Sequence, residues 1–103
     1  MGSKGPRWYV MSSLIARLKI LPTDAGIKSS DIVESIREKL PEGMVVKNET
    51  EEPIAFGVVA SILDIQFEEK EGEMDALEKA VRSSPLVSQV DVIGVSRVSA
   101  SLK

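Results

Sequence analysis

An α+β fold is predicted by three observations: four stretches with strand-like periodicity, two with helical periodicity, and their order β-α-β-β-α-β. That order is the split βαβ arrangement of the ferredoxin-like fold. Its two crossovers set both helices on one face of a four-stranded antiparallel sheet and leave the other face open.

Each element has its own signature. Leu14, Ala16, Leu18 and Ile20 alternate with Ile15, Arg17, Lys19 and Leu21, the period of two expected of a strand with one face in the core, and Pro22 ends it. Ile32, Val33, Ile36 and Leu40 then recur at helical spacing. Asp31 and Glu34 suggest a capping box, and Pro41, Glu42 and Gly43 stop the helix. Residues 44–48 read as a short second strand, residues 49–53 as a turn, and residues 54–67 as a longer third strand. A second helix carries Met74, Leu77, Ala80 and Val81 and stops at Ser83, Ser84 and Pro85, before a last strand over residues 87–98. Leu63, Ile65 and Phe67 are expected to face the helices. Val58, Ala60 and Ile62 fall on the uncovered side with Ile15, Arg17 and Lys19. Residues 13–98 thus form one domain between tails at 1–12 and 99–103, where Trp8 and Tyr9 read as extra strand or tail and Met11 as an alternative start.

Composition limits the chemistry. A chain of 103 residues can bury one core without disulfides or metals. Thirteen Lys and Arg against 16 Asp and Glu lack the basic excess of a protein that grips phosphate backbones. The sheet also lacks the exposed aromatic pair on which an RNA-recognition sheet stacks bases, so no direct nucleic-acid partner is expected. The absence of Cys and His removes thiolate nucleophiles, imidazole bases and the usual zinc ligands. No cofactor is expected. Glu68, Glu69, Glu71 and Glu73 read as a solvated connector before a helix rather than a metal site. Apolar stretches fall far short of the roughly 20 residues of a membrane span, and no membrane contact is expected. The beginning of the chain shows neither a secretory nor a myristoylation pattern, so the protein is expected in the cytoplasm, where the Asn48-Glu49-Thr50 triplet has no glycosylation role.

Segments in the same order as the elements carry a family resemblance. They are Leu18-Lys19-Ile20-Leu21-Pro22, Leu40-Pro41-Glu42-Gly43, Glu51-Glu52-Pro53-Ile54-Ala55-Phe56-Gly57, and the closing run from Val90, Asp91 and Val92 to Val95, Ser96, Arg97 and Val98. Together they resemble archaeal elongation factor 1-beta, over roughly residues 14–98. The resemblance implies a ferredoxin-like exchange domain that promotes GDP release from its partner, the elongation factor 1-alpha GTPase. It implies contact through Pro53, Ile54, Ala55, Phe56 and Gly57. Arg97 falls where eukaryotic members end with a Lys that reaches toward the partner's magnesium and phosphate region. This chain departs from the pattern with Arg at that place, six further residues to Lys103, and Val59 and Ala60 where eukaryotic members carry basic residues. On the residues alone, a second reading keeps the fold as a small regulatory or oligomerising module that self-associates weakly or binds a ligand through its open sheet face. From the fold, Phe56 is expected either in the core or as a partner anchor, and Arg97 either in a surface ion pair or at the partner's phosphates.

Overall fold

The computed structural model describes residues 12–99. The N-terminal tail with Trp8, Tyr9 and Met11 and the last four residues of the C-terminal tail lie outside the described residues. The elements run β1 (Ser12–Pro22), α1 (Ser29–Lys39), β2 (Val45–Pro53), β3 (Val59–Glu68), α2 (Glu73–Arg82) and β4 (Val87–Ser99). The sheet order is β2-β3-β1-β4, and every neighbouring pair is antiparallel. This is the predicted ferredoxin-like α+β arrangement.

One face carries the core. Ala16, Leu18 and Ile20 from β1 pair in register with Ile65, Leu63 and Ser61 of β3, and all six are fully buried. Ile32, Val33 and Ile36 from α1 and Leu77 and Val81 from α2 join them in a single apolar cluster, as the helical spacing requires. Ser61 is the polar member of this layer, and its hydroxyl is satisfied by that of Ser29 at 2.8 Å. The other face carries Ile15, Arg17, Lys19, Ile62, Asp64 and Gln66, all partly or fully exposed. Arg17 and Asp64 meet there in a bidentate pair at 2.8 and 3.0 Å.

Three sequence expectations are corrected. Residues 49–53 are not a turn: β2 continues through Pro53, with Thr50, Glu51, Glu52 and Pro53 opposite Ile62, Ser61, Ala60 and Val59. β2 is an edge strand, so its acidic side chains stay in water. Pro53, lacking an N–H, is tolerated at that edge. Second, β3 begins at Val59, and Val58 belongs to the preceding turn rather than to the open sheet face. Third, α1 has no capping box: its N-cap is Lys28 without a side-chain cap, the Ser29 hydroxyl is engaged with Ser61, and Asp31 sits in the first turn, where its charge complements the helix dipole.

The Arg17–Asp64 pair gives a pH prediction. Its hydrogen bonds to Arg17 hold the Asp64 carboxyl below the usual carboxylate range. A folded-state pKa lowered in this way contributes stability above the unfolded value of about 3.9, and that stability is lost as pH falls through the folded value. Asp64→Asn is therefore expected to be slightly less stable than the normal protein at neutral pH, with the two denaturation midpoints converging in acid. Midpoints measured across that range check it; a constant offset contradicts it.

Candidate functional site

The Pro53-to-Gly57 segment joins the edge strand β2 to β3. Ile54 N–H donates to the Val58 carbonyl at 2.9 Å, and Val58 N–H donates to the Ala55 carbonyl at 2.9 Å. The second bond closes a four-residue turn whose central residues, Phe56 and Gly57, have φ of 54° and 77°. Two successive positive φ values are the signature of a type I′ turn, suited to the right-handed twist of a hairpin. Glycine accepts the geometry freely. Phenylalanine does not, and held there it costs on the order of 1–3 kcal/mol.

Phe56 is also 97% exposed, which excludes core packing. The chain thus displays its one aromatic side chain in this turn to solvent, at a backbone position that Asn or Gly would fill with less strain. Ile54, beside it, is 46% exposed. Phe56→Asn is expected to raise stability by up to about 1 kcal/mol, because Asn tolerates positive φ. A clear loss of stability in chemical denaturation contradicts this account of the turn.

Arg97 lies elsewhere. It pairs in the sheet with Leu14, and Leu14 pairs with Phe67, so Arg97 stands on the helix-bearing side at the far end of the sheet from the turn. Val59, the first residue of β3, and Phe67 are eight residues apart along that strand, so roughly 26 Å separates the two ends. Its guanidinium donates from Nη2 to the Glu69 carboxylate in the connector before α2, and both side chains are substantially exposed. Of the two alternatives for Arg97, the surface ion pair is present in the domain by itself. Glu68 and Glu73 likewise flank Lys70, at 3.8 and 3.5 Å, which spends much of the acidic connector on ion pairing.

The structure therefore brings Ile54, Ala55, Phe56 and Gly57 together at one hairpin turn, with Pro53 at the end of the strand that enters it, and places Arg97 apart from them. Two features of the turn were not read from the sequence. The turn at Ala55-Phe56-Gly57-Val58 is one, since periodicity assigns these residues to a strand although Gly commonly fills a positive-φ turn position. The proximity of Ala25 to Gly57, where an added Cβ would lie 3.6 Å from the Ala25 Cβ, had no sequence signal because it joins loops far apart in the chain. Among the described residues, no helix is long and apolar enough to cross a membrane.

Comparison with known proteins agrees with this architecture. The ACT domain from GTP pyrophosphokinase of Chlorobium tepidum superposes with a TM-score of 0.53 at 15% identity, covering 84% of this chain and 99% of that one, a likeness of fold alone. Elongation factor 1-beta of Staphylothermus marinus is 42% identical over 90 residues, covering 86% of this chain and 100% of the relative. The protein of the same name from Thermofilum pendens is 41% identical over 90 residues, covering 86% and 99%. That of Sulfolobus acidocaldarius is 43% identical over 83 residues, covering 79% and 91%. The model of the EF-1 guanine nucleotide exchange domain matches residues 15–98, nearly all of the described chain, so the protein belongs to the EF-1 guanine nucleotide exchange domain family.

Proposed function

We propose that this protein promotes release of GDP from elongation factor 1-alpha during translation elongation, by binding and without covalent chemistry. The observation that carries the reading is Phe56, an aromatic side chain 97% exposed on a turn whose backbone it strains. A bare aromatic on a protruding, hydrogen-bonded turn has the form of an interface anchor, since such side chains dominate binding energy when a partner pocket desolvates them. Family membership supplies the class of partner, and the archaeal relatives share the name elongation factor 1-beta.

A GTPase holds its nucleotide with backbone amides, a Lys and a Mg²⁺ ion, so displacing the ion or moving the switch segments weakens nucleotide binding. An exchange factor achieves this by binding the empty GTPase more tightly than the loaded one. By linkage, GDP weakens the exchange factor's affinity by the same factor that the exchange factor weakens GDP's. Binding measured by calorimetry against nucleotide-free and GDP-saturated elongation factor 1-alpha tests this; equal affinities for the two states would remove the thermodynamic basis for exchange.

Arg97 has a separate role in this reading. Its cation, exchanged from Glu69 to the partner, competes with Mg²⁺ near the phosphates. Arg97→Ala is expected to slow stimulated GDP release while leaving the fold intact, because an exposed ion pair contributes little to stability. Raising free Mg²⁺ opposes exchange by the normal protein and opposes it less for the variant. Normal stimulated release by Arg97→Ala at every Mg²⁺ concentration eliminates this role.

A further inference from the structure

We infer that the connection between β1 and α1 is the second half of the contact made by the Phe56 turn, so that elongation factor 1-alpha grips the domain on both flanks of Phe56. The inference rests on the exchange reading above. One flank of Phe56 is Ile54; the other is Gly57, which stands against Ala25. Beside the turn opens a shallow cavity of about 380 Å³ whose wall includes Ala25, Ile27, Lys28, Ser30, Glu51 and Val59.

An aromatic anchor contributes its full binding energy only where surrounding contacts keep water from its rim. A partner pocket that closes over Phe56 must therefore meet the surface next to it, and on the Gly57 side that surface is Ala25 and the cavity behind it. The connection is built to receive such a contact. Thr23 N–H donates to the Leu86 carbonyl at 3.0 Å at one end, and Ile27 packs against the apolar core at the other. Between these anchors Ala25 and Gly26 are exposed, and a Cβ added at Gly26 would meet nothing within 4 Å. A loop tied at both ends with small residues at its crest is a preformed shoulder, which limits the ordering cost of binding. Its occupant is a convex segment of the GTPase adjoining the Phe56 pocket. Lys28 and Glu51 on the cavity wall offer that segment one charge of each sign.

The test uses the unmodified full chain, isotope-labelled and titrated with nucleotide-free elongation factor 1-alpha, with backbone amide signals followed by NMR. Signals of Ala25, Gly26 and Ser30 are expected to shift or broaden together with those of Phe56 and Gly57. Changes at the Phe56 turn without changes at Ala25, Gly26 and Ser30 overturn the inference and leave the exchange reading standing. No change at any residue defeats the exchange reading and this inference with it. In GDP-release assays, Ala25→Trp is expected to raise the concentration for half-maximal stimulation about tenfold or more. Glu38→Trp, on the exposed side of α1, stays within about twofold. A folded Ala25→Trp protein within about twofold of normal also overturns the inference.

Discussion

Ile36→Ala is expected to lower the unfolding free energy by about 2–5 kcal/mol, the largest stability effect among the substitutions considered. Ile36 is fully buried, and it belongs to the one cluster that includes residues of both helices and of β1 and β3. Truncation there removes the transfer free energy of the side chain and leaves a cavity that a close-packed core closes only in part. Chemical denaturation measures the loss, with the slope of the transition unchanged if the substitution acts on the native state. A change below about half a kcal/mol, the range of surface substitutions, contradicts the placement of this helix face.

Phe56→Ala is expected to have the largest functional effect, weakening the complex with elongation factor 1-alpha by about 2 kcal/mol or more, roughly thirtyfold, chiefly through faster dissociation. The substitution leaves folding almost untouched, because the ring is exposed and Ala inherits the same positive φ. The separation of roughly 26 Å between the turn and Arg97 adds a quantitative condition. Substitutions this far apart with no shared partner combine additively within about 0.5 kcal/mol, so the double variant Phe56→Ala, Arg97→Ala should equal the sum of the two. Surface plasmon resonance on the single and double variants measures both points. An unchanged dissociation rate for Phe56→Ala contradicts the role of the turn.

The parts of the fold legible in the sequence are those in which one face is buried and the other is not. β1 shows this in Ala16, Leu18 and Ile20 against Arg17 and Lys19, and the helices show it in Ile32, Ile36, Leu77 and Val81. Burial imposes the period, so the period reports the face. β2 escaped for the converse reason. From Lys47 to Pro53 it is exposed on both faces, so it carries no alternation, and its Glu49, Glu51 and Glu52 resemble a loop. The pattern consequently predicts the hairpin turn five residues early and assigns Ile54 to Val58 to a strand, whereas β3 begins at Val59.

At the candidate site, the motif located the residues but not their geometry. Pro53 ends β2 and Ile54 to Gly57 enter the turn rather than β3, and the strain at Phe56 depends on a backbone conformation set by the hydrogen bonds that close that turn. Arg97 lies at the opposite end of the sheet because Leu14, its partner, lies near the start of β1, whose other end approaches the turn. Its Glu69 contact joins positions 28 residues apart and follows from topology, not local spacing.

Release of a fluorescent GDP analogue from the cognate elongation factor 1-alpha, timed with and without this protein at fixed Mg²⁺, tests the central claim most directly. The account predicts a release rate that rises with the concentration of this protein to a plateau, and a Phe56→Ala variant that needs a much higher concentration to reach it. A release rate independent of this protein, at concentrations where the two are shown to bind, would contradict the claim.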